Sequence, residues 1–325
     1  MLNYPVIWSR RGLAASLLLP LSCMFGALVA LRRWLYRNGW LRGEHLPVPV
    51  IVVGNISVGG TGKTPLTLWL AQQLKSAGYT PGIVSRGYGG TAPGANGVHA
   101  DSDPRSVGDE PVLLARASGC PVWIGKNRAE AARALLAANP DCNIILCDDG
   151  LQHYRLARDV EIAVVDGLRG SGNGYLLPAG PLREPLSRLA TVDAVVTRGG
   201  GSDATFSMSL EPAGFTNVHD KRQVVNAGFF SGKRVHAVAG IGNPQQFFDT
   251  LSRMGIPHTP HVFADHHPFR AEDLLLAHCD AVVMTEKDAV KCETFAPENC
   301  WALRVEARVD NALYTQIAEC LHRLR

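Results

Sequence analysis

The chain has 325 residues, 46% hydrophobic and 19% charged, with 33 Gly and 20 Pro. That composition excludes a disordered chain, a collagen and a coiled coil, and the length fits about two domains of roughly 100–200 residues each. Lys+Arg 32 against Asp+Glu 29 leaves a net charge of +3, too small a surplus to argue for nucleic acid as a partner.

The N-terminus departs first from an ordinary soluble enzyme. Residues 13–31 are 19 residues without a charge, preceded by Arg10 and Arg11 and followed by Arg32, Arg33, Arg37 and Arg42. Three readings compete. A signal peptide fits the order of charge and apolar run, but no A-x-A-type site precedes Arg32. A spanning helix fits the length, yet Ser16, Pro20, Ser22 and Gly26 dilute the run and Arg stands on both flanks. A helix pair lying on the inner leaflet is favoured, with Trp8, Trp34, Tyr36 and Trp40 at headgroup level and the arginines facing anionic lipid.

Pro47 to Asn55 (PVPVIVVGN) reads as a buried strand, followed by a glycine-rich turn and a helix from Pro65 to Ala77. A strand from Tyr79 to Ser85, a mobile loop over Gly94 to Ser106, a helix from Asp109 to Ala117 and a strand from Pro121 to Ile124 come next. A helix from Asn127 to Ala138 then precedes strands at Asn143–Cys147, Val160–Val165 and Asp193–Thr197. Strands alternating with helices predict a parallel sheet covered on both faces. Beyond Thr205 the pattern weakens, and Thr205–Leu210 with Gln223–Asn226 suggest a small antiparallel linker. A second α/β unit follows: a strand at Lys233–Ala239, a helix at Pro244–Met254, a strand at Thr259–Phe263, a helix at Ala271–Ala277 and a strand at Ala281–Thr285. An amphipathic helix closes the chain from Asn311 to Arg325. The eight cysteines contain no C-x-x-C pair and read as reduced thiols in a cytosolic compartment.

Chemistry concentrates at Ser57-Val58-Gly59-Gly60-Thr61-Gly62-Lys63-Thr64. It lies between a strand and a helix, the setting a phosphate-binding P-loop requires. Backbone N–H groups and the helix N-terminus would cradle phosphates, Lys63 would reach the β/γ-phosphates and Thr64 would meet Mg²⁺. Ser57 stands where the general pattern has Gly. Asp148-Asp149 at the end of a strand match the acidic partner of such a loop, and Gln152 and His153 follow on the same turn. Thr285-Glu286-Lys287-Asp288 occupies the place of an N-K-x-D guanine motif, but Glu286 replaces its lysine, which leaves ATP as the nucleotide. Asp109 in Gly108-Asp109-Glu110-Pro111 is either a helix cap or a base for an attacking hydroxyl. His258, His261, His266 and His267 crowd around Asp265; a carboxylate–histidine pair suits proton handling better than a metal cluster there. Arg86, Lys126, Arg128 and Arg183 follow strands of the sheet and are expected to face donor or acceptor phosphates.

Together, GNISVGGTGKTP, SRGYGG, GDEP, DDGLQHY, LLPAGPLREP, ADHHPF and TEKDAVK, in this order behind the N-terminal apolar segment, closely resemble the tetraacyldisaccharide 4′-kinase family of Gram-negative bacteria, over essentially the whole chain. The resemblance implies transfer of the γ-phosphate of ATP to the 4′-hydroxyl of a tetraacylated glucosamine disaccharide 1-phosphate, forming lipid IVA, at the cytoplasmic face of the inner membrane. It implies an α/β P-loop NTPase-type parallel-sheet domain, a second, smaller α/β domain and an N-terminal membrane-associated helix. The divisions are then 1–45 for the membrane segment, 46–204 for the P-loop domain, 205–231 for the two-stranded linker, 232–310 for the smaller domain and 311–325 for the last helix. By motif, Asp109 is the base, paired with His266 or the adjacent His267, and Lys63 completes the catalytic set. Ser57 to Thr64 bind nucleotide. Thr64, Asp148, Asp149 and Glu184 are the Mg²⁺ candidates, and Arg86, Gln152 and Arg183 face substrate. Partners are the lipid acceptor and the membrane, with no nucleic acid and no obligate protein partner. The competing reading is a P-loop NTPase switch or chaperone that releases phosphate to water on behalf of a membrane partner.

Overall fold

The computed structural model describes residues 4–199 and 206–324. Three helices open it, α1 (Tyr4–Ser9), α2 (Leu13–Leu17) and α3 (Leu19–Arg37). Then come β1 (Val50–Gly54), α4 (Lys63–Ser76), β2 (Pro81–Ser85), β3 (Asn96–Val98), α5 (Pro104–Val107), α6 (Asp109–Ser118), β4 (Val122–Ile124), α7 (Arg128–Ala138), β5 (Ile144–Asp148), β6 (Val160–Asp166) and β7 (Ala194–Arg198). The second half holds β8 (Phe206–Asn217), β9 (Val224–Val225), β10 (Val235–Ala239), α8 (Pro244–Arg253), β11 (His258–Val262), α9 (Ala271–Leu274), β12 (Ala281–Thr285), α10 (Glu286–Cys292), β13 (Cys300–Val309) and α11 (Asn311–His322).

All five residues of β1, β2 and β5 are buried, as expected of strands covered on both faces. Their order is β7-β6-β1-β5-β2-β4, all parallel, with β3 antiparallel at the edge. One face of this sheet packs against α4 through Leu66, Leu70 and Leu74, the i, i+4, i+8 stripe of an amphipathic helix. The other packs against α7 through Ala131, Ala132 and Leu135. The second unit repeats the plan on a smaller scale, with β11-β10-β12-β13 all parallel over cores that include Phe247, Phe248 and Leu251 on one side and Phe269 and Leu274 on the other.

Between the two units, β8 pairs antiparallel with β13 from Met208↔Val309 to Asn217↔Trp301. Strand β8 also continues the first sheet by parallel pairing to β7. The hydrogen-bonded connection is therefore made by strands far apart in sequence, whereas β9, the second strand expected in the linker, contributes two residues to the edge of β8. The domain edge placed at residues 204–205 and the end of the last helix at Arg325 lie outside the described residues. The final helix packs back on the first unit, where Leu313, Ile317 and Leu321 join the core of β6 and β7.

Two other expectations change. The 94–106 stretch is not a bare loop: it carries β3, which completes the sheet edge, and α5, whose N-cap Asp103 accepts from Arg105 N. The N-terminal apolar run is broken at Leu18, with Pro20 in the first turn of α3, where its missing N–H costs no hydrogen bond. Among the described residues no helix is long and apolar enough to cross a membrane. Helix α3 is anchored by its narrow side: Ser22 donates to the Leu176 carbonyl at 2.8 Å, and a Cβ on Gly26 would lie 2.8 Å from Leu176. Its opposite side stays in solvent. Leu13 and Leu17 are 87% and 81% exposed, and Leu21, Met24, Leu28 and Leu31 extend the same stripe.

Candidate active site

The phosphate loop leaves β1 at Gly54 and enters α4 at Lys63. It is held from outside: Val58 N donates to the Pro181 carbonyl at 2.8 Å, and Arg183 N donates to the Ile56 carbonyl at 2.7 Å. Gly62 caps α4 in the left-handed region at φ 94°, and a Cβ there would meet Met208 at 2.9 Å and Arg198 at 3.1 Å. Only glycine fits that position without strain. The loop thus keeps its N–H groups and the start of α4 turned toward one concavity, the arrangement that binds phosphate.

Lys63 and Asp149 meet there, Nζ to Oδ1 at 3.5 Å, and Arg183 Nη1 lies 3.3 Å from both oxygens of Asp149. Burial works against the charge on Asp149, but Lys63 and Arg183 outweigh it and hold its carboxyl below the usual range. Asp148 is different. It is fully buried, Thr67 donates to its Oδ1 at 3.0 Å, and its Oδ2 has no hydrogen-bond partner among the described residues. Burial, with Glu110 adding to it, pushes its pKa up to about 7. A buried carboxylate oxygen left open beside a P-loop is the observation that fits a cation, because an unpaired buried charge is costly. Magnesium requires only one or two protein ligands when phosphates and water complete its shell, so Thr64 and Asp148 suffice. Glu184 does not join them: Tyr154 Oη donates to its Oε1, and Arg188 Nε lies 3.2 Å from its Oε2. Buried with an arginine, that carboxylate is already neutralised.

The base candidate comes from the next βα connection. Asp109 opens α6 with Gly108, not itself, at the cap position, and is 5% exposed. Its Oδ1 accepts from Glu110 N at 2.9 Å, which leaves Oδ2 for His266 Nδ1 at 3.1 Å. His266 belongs to the second unit. Its backbone sits in the left-handed region at φ 58°, its N–H donates to the Gly240 carbonyl at 3.1 Å, and Gly240 N is bonded in turn by Asp288 at 3.0 Å. Burial opposes ionisation of Asp109, but the His266 hydrogen bond and the Lys287 charge hold its carboxyl below the ordinary range. The same hydrogen bond raises the His266 pKa against burial and Lys287. The geometry decides between the adjacent histidines, since His267 turns to Asp273 at 3.0 Å. His261 pairs with His236 at 2.8 Å and His258 with the Ile256 carbonyl, so these histidines disperse, and no metal-holding group is found among the described residues.

The other expected residues divide. Gln152 donates to the Asn55 carbonyl at 2.9 Å, which ties the Asp149 loop to the strand feeding the P-loop. His153 accepts from Arg128 N at 3.1 Å, and burial among Arg128, Arg158, Arg32 and Arg155 pushes its pKa down to about 4, keeping it neutral. Arg128 is buried against the Gly125, Lys126 and Asp149 carbonyls, whereas Arg86 is exposed at the end of β2. Two residues of the site escape a reading by motif chemistry. Lys287 and Lys291, on the TEKDAVK segment first weighed for guanine recognition, lie beside the dyad, with Lys287 Nζ 3.0 Å from Glu110 and Lys291 Nζ 3.9 Å from Asp109. Their i, i+4 spacing on a helix was the available signal. The second unit also closes on the P-loop directly, since a Cβ on Gly242 would lie 3.9 Å from Gly60 N.

The chain is similar to known proteins over nearly its whole length. A family model described as tetraacyldisaccharide-1-P 4'-kinase, LpxK, matches residues 14–322. A tetraacyldisaccharide 4'-kinase of Aromatoleum aromaticum is 54% identical over 98% of this chain and 97% of its own length. That of an Azoarcus species is 52% identical over 98% and 95%. Among solved structures, LpxK from Aquifex aeolicus in complex with ATP superposes with a TM-score of 0.81 at 30% identity, over 95% of this chain and 100% of that one.

Proposed function

The chain belongs to the tetraacyldisaccharide-1-P 4'-kinase family, and on that premise we propose that Asp109, held by His266, is the base of its phosphoryl transfer. It is an ATP-dependent kinase of lipid A biosynthesis that phosphorylates the 4′-hydroxyl of tetraacyldisaccharide 1-phosphate. The observation that carries the proposal is the 3.1 Å contact of Asp109 Oδ2 with His266 Nδ1 across two units that meet at the P-loop.

The chemistry follows from charge and placement. Phosphoryl transfer asks chiefly for positioning and charge neutralisation, with a modest base. Residues 57–64 take the phosphates of ATP, and Lys63 leaves Asp149 for the β/γ-phosphates. Asp109, kept ionised by its neighbours, accepts the proton of the attacking 4′-hydroxyl. The new O–P bond forms as the bond from the γ-phosphorus to its bridging oxygen breaks, and ADP leaves with that electron pair. Thr64 and Asp148 would hold Mg²⁺, with Asp149 beside them; the ion supplies positive charge against the phosphate oxygens. Arg183, paired with Asp149, is available to a phosphate, and exposed Arg86 is left for the acceptor. The P-loop unit and the second α/β unit would form the two walls of a cleft whose closure excludes water, which limits hydrolysis.

The acceptor keeps its acyl chains in lipid while its sugars are phosphorylated. The exposed stripe Leu13, Leu17, Leu21, Met24, Leu28 and Leu31, flanked by Arg10, Arg11, Arg32, Arg33 and Arg37, suits a helix pair lying in the cytoplasmic face of the inner membrane.

The test is transfer from γ-labelled ATP in detergent micelles with Mg²⁺, with and without tetraacyldisaccharide 1-phosphate. Labelled lipid formed by the wild type and lost in Asp109→Asn is expected. Phosphate released to water at the same rate with and without acceptor would mean an NTPase switch instead.

A further inference from the structure

Lys287 brings a cation to the dyad. Its Nζ lies 3.0 Å from Glu110 Oε1, 3.4 Å from His266 Nε2 and 3.8 Å from Asp265 Oδ1. The side chain is 19% exposed, so little water competes for its three protons. An ammonium has donors and no acceptor. Facing Nε2, it requires that nitrogen to present a lone pair. The one ring proton then sits on Nδ1, 3.1 Å from Asp109 Oδ2.

We propose that Lys287 is a positioning residue for the transfer: by donating to Nε2 it fixes His266 as the neutral Nδ1–H tautomer that orients Asp109, and by pairing with Glu110 it pins the second unit across the cleft. This rests on Asp109 being the base.

The charges around His266 oppose one another. Asp109 on α6 and Asp265 on its own loop, 3.1 and 3.9 Å from ring nitrogens, favour the imidazolium. Lys287 disfavours it. Glu110 is spent on Lys287, and Lys291 is spent on Asp288 at 2.7 Å. The Tyr88 ring closes the remaining side, its centroid 5.0 Å from that of His266. Without Lys287 the cation left beside the two carboxylates is Lys291, 3.9 Å from Asp109 and shared with Asp288, and the ring takes a second proton at Nε2. An imidazolium against Asp109 lowers the proton affinity of the carboxylate and makes it a poorer acceptor for the hydroxyl proton. Because α10 is N-capped by Thr285 and held through Asp288 to Gly240, the lysine is delivered to Nε2 by an element that itself positions the His266 loop.

The experiment compares Lys287→Met and Lys287→Arg with wild type, using full-length protein in micelles. Lys287→Met should lower kcat about threefold at neutral pH and move the acid limb of the kcat profile up by about one unit, with KM for ATP within about twofold. Lys287→Arg should restore most of both. Imidazole ¹⁵N spectra, with His266 assigned by its loss in His266→Gln, should show Nε2 unprotonated in wild type at neutral pH and protonated in Lys287→Met. A wild-type profile with Nε2 still unprotonated in Lys287→Met overturns the proposal. So does an equal loss of kcat in both variants with neither the limb nor the spectrum moved, because Lys287 would then only support the fold. Asp109→Asn with full kcat would overturn the base assignment instead, while the nitrogen spectrum, which needs no turnover, would still decide the tautomer.

Discussion

Eight consecutive residues, Ser57–Thr64, make the phosphate cradle, whereas Asp109 and His266 stand 157 residues apart and meet only where the two α/β units touch. The cradle is held by its own strand and helix, with Pro181 and Arg183 bracing it from the side. The dyad depends on a chain of contacts running from Asp288 through Gly240 to a histidine in a left-handed backbone conformation. The difference separates two tasks. The proposed base is assembled from both units, whereas the loop comes from one, so the proposed acceptor chemistry needs the two units in contact.

That separation can be broken by mutation. Lys63→Ala should have the largest effect, a loss of transfer of about 10³-fold or more with the fold retained, read by labelled lipid and circular dichroism. Near-normal transfer would remove the P-loop from the mechanism. Asp109→Asn should lower kcat by about 10²-fold and leave KM for ATP within a few-fold. A rise in KM alone would mean that the regions are not independent. Gly62→Ala should act in the opposite sense. A side chain at φ 94° costs about 1–3 kcal/mol of strain, and the loss should fall on KM for ATP, about tenfold, with kcat nearly kept; an equal fall in kcat would couple the cradle to the dyad.

The smallest effect is on stability and has a pH window. The His266 pKa is raised from 6.5, so its ion-pair contribution is full below that value and fades as pH rises through the folded pKa. The Asp109 pKa is lowered from 3.8, so its contribution is full above that value and fades as pH falls through the folded pKa. His266→Gln, which cannot take a charge, should therefore lower Tm by about 2 °C between roughly pH 4 and 6.5, and by less on either side. A pH-independent difference in thermal melts would assign the loss to packing rather than charge.

Much of the site could be read before folding because its signals are local. A β-branched run bounded by Pro and Gly marks β1, and the turn after it must be glycine-rich to let backbone N–H groups converge. Acids at the end of β5 follow from the same strand-turn logic. Glu184 was expected near Mg²⁺ from its LREP motif alone, and only packing reveals that Arg188 and Tyr154 meet its carboxylate. Lys287 and Lys291 carry no such local signal beyond their spacing, because what gives them a role is the contact their helix makes with Glu110 and Asp109 of the other unit. Strand β13 also went unseen. Its first half is buried in the second unit and its second half alternates on the open side of β8, so no single period runs through it.

By itself the amino-acid order determined the α/β class, the position of the phosphate loop, the acidic pair and the apolar N-terminal segment, because periodicity and turn chemistry act over a few residues. Tertiary structure alone decided that β8 and β13 join the units into one sheet, that His266 rather than His267 faces Asp109, that Glu184 is spent elsewhere, and that Lys287 closes on Nε2. Those outcomes depend on which side chains meet after the chain closes long loops. Each such contact is worth only a few kcal/mol at most, and the partners it joins carry no mark of one another in sequence.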